Sequence, residues 1–187
     1  MLDNSAMTST RDLVRIALFA ALIAVLGLIP KFDLPFTAGV PITAQTMGVM
    51  LAGLFLGSRN GFLAIVLFLF VVALGAPVLS GGRGGLGVFF GPTVGFLIGW
   101  AAGAWAVGEI YARMKRFKAE RIFINALIAS LLGGIIPIYV FGIPGLSLIA
   151  SMPLEKAAMV SLIFVPGDVI KALLAAWLLS KMPQKIK

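Results

Sequence analysis

Residues 122–141 read IFINALIASLLGGIIPIYVF, twenty residues without one charged side chain. A helix needs about 20 apolar residues to cross the roughly 30 Å hydrocarbon core of a bilayer, so this stretch predicts a transmembrane helix. The whole chain has the same character: 60% of its 187 residues are hydrophobic, 12% are charged, and the mean hydropathy is +1.09. Soluble domains are about 45–50% apolar. We therefore expect a single integral membrane domain over residues 1–187.

Five other apolar stretches flank this one, and turn signals such as the cluster Gly57-Ser58-Arg59-Asn60-Gly61 separate them. The second and third stretches are short, which is acceptable where neighbouring helices cover the ends. The sequence therefore predicts an all-α membrane protein of six transmembrane helices, at about 13–29, 43–56, 62–74, 93–112, 122–141 and 157–179.

The basic residues indicate how these helices are oriented. Lysine and arginine are enriched in the cytoplasmic loops of membrane proteins. With six helices, eleven of the fifteen basic residues fall on the side that holds both termini. This predicts cytoplasmic N- and C-termini in a multi-pass protein of the bacterial cytoplasmic (inner) membrane. The eleven residues are Arg11, Arg15, Arg59, Arg113, Lys115, Arg116, Lys118, Arg121, Lys181, Lys185 and Lys187.

The composition also excludes several functions. The chain has no cysteine and no histidine, so it lacks thiolate and imidazole ligands for metals and the usual nucleophile–base pairs. We expect no metal, no cofactor and no enzymatic activity. The net charge of +8 is spread over many hydrophobic segments and forms no basic domain of the kind that binds nucleic acid.

Two charged residues, Asp168 and Lys171, interrupt the sixth apolar stretch, just after Pro166-Gly167. A charge at the centre of a membrane helix costs about 2.5–3.5 kcal/mol, so both need compensation. A spacing of three puts them on one helix face, close enough to pair. The pair could be a structural link between helices, but the sharper interpretation is a site where the carboxylate accepts from a ligand and the ammonium donates to it.

Two further candidates lie near the predicted outward loops. Gln45, at the start of the second helix, has an amide that can donate and accept, although a polar residue there could simply meet the interface. Arg83, between Gly82 and Gly84, could bind an anionic group, or could be a solvated loop cation. Its apolar, glycine-rich loop 76–92 predicts a lid or re-entrant segment over a cavity, with a flexible connector as the alternative.

Small residues recur at a spacing of four on two helices. Gly95, Gly99 and Gly103 on the fourth helix predict close packing within the bundle. Ala17 and Ala21 on the first helix could pack in the same way or dock a partner subunit.

Four motifs together resemble the BioY family, the biotin-binding S components of energy-coupling factor (ECF) transporters. The resemblance covers nearly the whole chain. The motifs are Val40-Pro41-Ile42-Thr43-Ala44-Gln45-Thr46-Met47-Gly48, Gly81-Gly82-Arg83-Gly84-Gly85, Phe90-Gly91-Pro92-Thr93-Val94-Gly95-Phe96 and Pro166-Gly167-Asp168-Val169-Ile170-Lys171.

The resemblance implies a six-helix S-component fold that captures biotin with high affinity for uptake. It implies that Asp168 and Lys171 face the ureido ring and that Gln45 and the Gly82-Arg83-Gly84 loop contribute to the site. Some family members carry an arginine where this chain has Leu97, so we expect Arg83 to bind the biotin carboxylate instead. The resemblance further implies that Ala17 and Ala21 dock the T component (EcfT), which is coupled to two ATPase subunits.

Three alternatives remain at this point. The chain could be a solitary biotin transporter that works without ATPases. It could be an S component for another vitamin, since the architecture would serve several. A membrane enzyme is the weakest alternative, because no pair of catalytic carboxylates is evident.

Overall fold

The computed structural model describes residues 9–31, 37, 39–117 and 119–182, and most of them are helical. Within these ranges no residue is assigned to a β-strand, and Leu79 and Arg83 pair through an isolated bridge. The predicted all-α fold is confirmed. The helices are α1 (Thr10–Leu26), α2 (Gln45–Ala73), α3 (Val94–Phe117), α4 (Ile122–Gly134), α5 (Ile136–Ile149), α6 (Leu154–Leu162) and α7 (Val165–Lys181), with a 3₁₀ helix at Leu86–Phe90.

The second and third predicted helices are joined by a single residue. Only Gly57 leaves the helical conformation, with φ 78° and ψ −179°, so the predicted five-residue turn was too long. Glycine adopts this positive φ at little cost. A Cβ built on Gly61 would lie 3.1 Å from the Cα of Gly53, so the chain folds back at this point. We therefore describe α2 as a helical hairpin with a first arm, 45–56, and a second arm, 58–73.

The fifth and sixth predicted helices are each broken. The fifth extends beyond its predicted end to Ile149 and is interrupted at Ile135, which follows Gly133-Gly134. The sixth begins at Leu154 and divides into α6 and α7, which are bent by 48°. Pro166 lies in the first turn of α7, where a residue without an N–H is accommodated.

Two helices also differ from the prediction in where they begin or end. The first helix begins at Thr10 because Ser9 caps it, its Oγ accepting from the N–H of Asp12 at 3.2 Å. The fourth helix continues to Phe117, beyond the predicted end at 112, because charged residues extend it past the apolar region.

Counting α1, the two arms of α2, α3, α4–α5 and α6–α7, the fold has the six predicted helical segments. By length and composition, α3 and α4–α5 could each cross a membrane, and the bent α6–α7 pair passes the same test together. α2 passes it only when its two arms are counted as one helix. The 29 residues of α2 are two arms that fold back on each other, so we count them as two segments.

The glycine stripe on α3 packs against α4–α5, as predicted. A Cβ on Gly99 would lie 2.7 Å from the Cα of Ile138, and one on Gly95 would overlap the carbonyl oxygen of Phe141. Gly103 contacts the side chain of Ile138 in the same way. Only glycine permits this distance between the helices.

The buried residues form two clusters at opposite ends of the bundle. One contains Trp100 and Phe164 and lies where α1 ends and α3 and α7 begin; we call this the cavity end. The other contains Tyr111 and Leu179, where α1 and α4 begin and α7 ends; we call it the basic end.

The described basic residues divide between these ends as the sequence predicted. Lys118, Lys185 and Lys187 lie outside the described residues. Helix order places Lys31, Arg83 and Lys156 at the cavity end. The same order places eight basic residues at the basic end, namely Arg11, Arg15, Arg59, Arg113, Lys115, Arg116, Arg121 and Lys181.

Candidate functional site

The charged pair of the last helix is formed as the spacing predicted. Asp168 lies in the first turn of α7 and Lys171 one turn later. The Nζ of Lys171 lies 2.9 Å from the Oδ1 of Asp168, and the two side chains are 14% and 7% exposed respectively. Asp168 is therefore buried and Lys171 is mostly buried, so the pair needs further polar partners to offset the loss of water.

Two hydroxyl groups from other helices supply those partners. The Oγ1 of Thr46 accepts from Lys171 at 2.9 Å and donates to the Oδ1 of Asp168 at 3.1 Å. The hydroxyl of Tyr139 donates to the Oδ2 of Asp168 at 2.8 Å. We call Asp168, Lys171, Thr46 and Tyr139 the polar cluster; it joins α7, the first arm of α2, and α5.

The polar cluster retains hydrogen-bonding capacity for a ligand. A carboxylate oxygen has two lone pairs and an ammonium has three donors. Within the described part of the chain, the Oδ2 of Asp168 accepts one hydrogen bond and Lys171 makes two. The cluster can therefore offer an acceptor and a donor side by side to one polar molecule.

A cavity with mostly apolar walls lies against the polar cluster. The empty space here, including the open mouth, is about 560 Å³, of which the centres of water-sized molecules can occupy about 60 Å³. Phe96 packs edge-on against both Tyr139 and Phe164, with ring centres 6.2 and 6.3 Å apart. Trp100 and Leu97 complete this part of the wall. The site thus combines a few polar groups with walls formed largely by aromatic rings.

Gln45 borders this cavity, but both donors of its amide are already used. It is 1% exposed. Its Nε2 donates to the carbonyl oxygens of Ile23 and Val78 at 3.0 and 3.1 Å, and its Oε1 accepts from the N–H of Ser80 at 3.0 Å. Both amide donors are used by backbone groups, which sequence reasoning did not foresee.

Arg83 also lines the cavity, whereas its flanking glycines do not. Its Nε donates to the carbonyl oxygen of Ser80 at 3.3 Å. Gly82 has a φ of +69°, and a Cβ on Gly84 would overlap the carbonyl oxygen of Ala76. The glycines therefore shape the loop that carries Arg83.

The two alanines of the first helix lie away from the cavity, on the exposed side of α1. Both Ala17 and Ala21 are exposed, next to Val14 and Leu18, which are 53% and 62% exposed. Ala20, one residue before Ala21, is buried in the bundle. The Ala17–Ala21 stripe is thus available to lipid or to another protein.

Sequence reasoning missed Tyr139 as a site residue and gave Thr46 no role of its own. Tyr139 is the only tyrosine of the apolar stretch 122–141, and its phenol hydroxyl was the available signal. Among the described residues, no group of three or more His, Cys, Asp or Glu could hold a metal ion.

Comparison with known proteins agrees with the fold and the motifs. The "Biotin transporter BioY" of Rhizobium etli is 49% identical over 172 residues, covering 91% of each chain. The "Probable biotin transporter BioY" of Bacillus subtilis is 46% identical over 175 residues, covering 94% of this chain and 91% of the relative. Both are named as transporters and not as enzymes.

A solved structure gives the same result. The crystal structure of the S-component for biotin from an ECF-type ABC transporter superposes with a TM-score of 0.84, at 35% identity and 93% coverage of each chain. The model of the BioY family matches residues 3–187. This membrane protein therefore belongs to the BioY family.

Proposed function

We propose that this chain captures biotin for uptake, as the S component of an ECF transporter. The polar cluster is the observation that carries the proposal: two buried charges with two hydroxyl partners face an apolar cavity. Intramembrane ionisable residues are expensive and usually mark a functional site. Family membership and the names of the relatives support biotin as the ligand.

The chemistry of the polar cluster suits a cyclic urea. The ureido ring of biotin has N–H donors and a carbonyl acceptor close together. The Oδ2 of Asp168 can accept from a ureido N–H, and Lys171 can donate to the ureido carbonyl. The aromatic wall of Phe96, Trp100 and Phe164 would pack against the fused ring system.

Mass spectrometry of the purified protein tests the ligand directly. Protein from cells grown with excess biotin should carry bound biotin, and Asp168→Asn should lose it. Glu109→Gln is a matched control, since it removes the carboxylate of an exposed ion pair at the basic end. Wild-type protein that binds no biotin would contradict the proposal.

Arg83 is the proposed partner of the biotin carboxylate. It lines the same cavity as the polar cluster, and the wall at position 97 is an apolar leucine. We expect Arg83→Ala to weaken biotin binding about 10- to 100-fold, as for a charged hydrogen bond, with little effect on biotin methyl ester. Unchanged affinity for biotin in Arg83→Ala would refute this role.

The Ala17–Ala21 stripe is the proposed docking surface for the T component, which is coupled to two ATPase subunits. Its small residues are exposed on α1 and would let a partner helix approach closely. The double variant Ala17→Trp/Ala21→Trp should bind biotin normally but fail to co-purify with the T component. Leu178→Trp on α7 is the control, since Leu178 is 38% exposed. Uptake that persists without the ATPases would favour a solitary transporter.

We also propose that the protein is a multi-pass protein of the bacterial cytoplasmic membrane with both termini in the cytoplasm. The basic residues near the ends of α1, α3 and α7 support this orientation. Because the chain has no cysteine, single variants can be labelled cleanly. A membrane-impermeant thiol reagent added outside should label Phe90→Cys and not Phe117→Cys; these residues are 80% and 86% exposed. The reverse pattern would overturn the orientation.

A further inference from the structure

Gln45 joins three backbone groups that belong to two separate parts of the chain. Its amide nitrogen donates to the carbonyl oxygen of Ile23 in α1 and to that of Val78 in the loop after α2. Its amide oxygen accepts from the N–H of Ser80, a residue that is 0% exposed. Buried backbone groups require partners, and here one side chain satisfies three of them.

The end of α1 and the loop meet closely at this point. A Cβ on Gly27 would overlap the carbonyl oxygen of Val78 and would lie 2.9 Å from the Nε2 of Gln45. Only glycine at position 27 allows the loop to reach Gln45. The Gln45 contacts are thus part of a close-packed junction between α1 and the loop.

Ser80 connects this junction to Arg83. The N–H of Ser80 donates to Gln45, and its carbonyl oxygen accepts from the Nε of Arg83 at 3.3 Å. The backbones of Leu79 and Arg83 pair with each other across the turn that contains Ser80. The two N–O distances are 3.0 and 3.2 Å. The guanidinium of Arg83 at the cavity wall is therefore linked to Gln45 through the backbone of Ser80.

We propose that Gln45 is a positioning residue, which acts on the ligand through Ser80 and Arg83 and does not bind the ligand with its own amide. This inference rests on the proposed function, in which Arg83 binds the carboxylate of biotin. It differs from a direct ligand contact, because both donors of the amide are already used by Ile23 and Val78.

A double-mutant cycle tests the proposal. Gln45→Met keeps the length of the side chain and removes its hydrogen bonds. It should weaken biotin binding about tenfold and change the binding of biotin methyl ester less than about twofold. In Arg83→Ala, adding Gln45→Met should cost less than about a further twofold, because coupled residues are not additive. Equal losses for biotin and its ester, or additive losses in the double variant, would overturn the proposal.

Hydrogen exchange gives a readout that needs no ligand. In the wild-type protein the Ser80 amide should exchange far more slowly than that of the exposed Gly82, and Gln45→Met should accelerate it. Rapid exchange of Ser80 in the wild type overturns the proposal, even if the variant does not fold. Failure of the wild type to bind biotin would instead defeat the proposed function, and the exchange data would still show whether Gln45 anchors the loop.

Discussion

Two ion pairs of nearly equal length lie in different surroundings. Lys171 and Asp168 are 2.9 Å apart at the cavity end, with side chains 14% and 7% exposed. Arg113 and Glu109 are 2.8 Å apart at the basic end, with side chains 70% and 33% exposed. Distance does not separate the two pairs, whereas burial does. An exposed pair contributes about 0–1 kcal/mol, while a buried pair must offset a large loss of hydration.

The largest expected effect comes from breaking the buried pair. Asp168→Leu and Lys171→Met should each destabilise the fold by about 3–5 kcal/mol, because each leaves a buried charge without its partner. The double variant should recover most of that loss, since it leaves neither charge. Unfolding in mixed detergent micelles measures the stability of all three variants.

Biotin binding by the same variants separates a structural pair from a binding pair. The double variant should be folded and yet bind no biotin, because both proposed partners of the ureido ring are gone. A stable double variant that still binds biotin would show that the pair only links helices.

A smaller effect is expected from removing one hydroxyl partner of the buried pair. Tyr139→Phe deletes the 2.8 Å hydrogen bond to the Oδ2 of Asp168. Such a bond to a charged group contributes about 1.5–3 kcal/mol to stability. Because it also fixes the orientation of Asp168, we expect biotin affinity measured by calorimetry to fall about tenfold. Tyr111→Phe, at the basic end, is the matched control and should leave binding unchanged. Similar losses in both variants would mean that Tyr139 has no specific role.

The smallest effect should come from the exposed pair. Glu109→Gln should change the free energy of unfolding by no more than about 0.5 kcal/mol, as is typical of i,i+4 pairs on a helix surface. The difference should shrink further in high salt, because exposed charges are screened. Denaturation at low and high salt measures both effects. A loss close to that of Asp168→Leu would remove the contrast between the two pairs.

Much of this fold could be predicted from the sequence, because apolar length, turn residues and basic loops are local signals. The three-residue spacing of Asp168 and Lys171 was enough to predict their contact. The breaks at Ile135 and between α6 and α7 were not predicted. Apolar residues continue through both breaks, so the hydropathy of the sequence does not indicate where they lie.

The rest of the site depends on contacts between distant parts of the chain. Thr46 and Tyr139 reach Asp168 across 122 and 29 residues of sequence. The hydrogen bonds of Gln45 depend on backbone carbonyls whose positions follow only from the packing of α1 against the loop. Residue type identified these side chains as polar, but it could not identify their partners.

The hairpin turn at Gly57 has a consequence for biosynthesis. The first arm of α2, 45–56, is about 18 Å long at 1.5 Å per residue, which is too short to cross a bilayer core of roughly 30 Å alone. We therefore expect the two arms to insert together, as one helical pair. Synthesis runs from the N-terminus, so Gln45 and Thr46 are made before Asp168 and Lys171. The proposed binding site is therefore complete only when α7 joins the bundle.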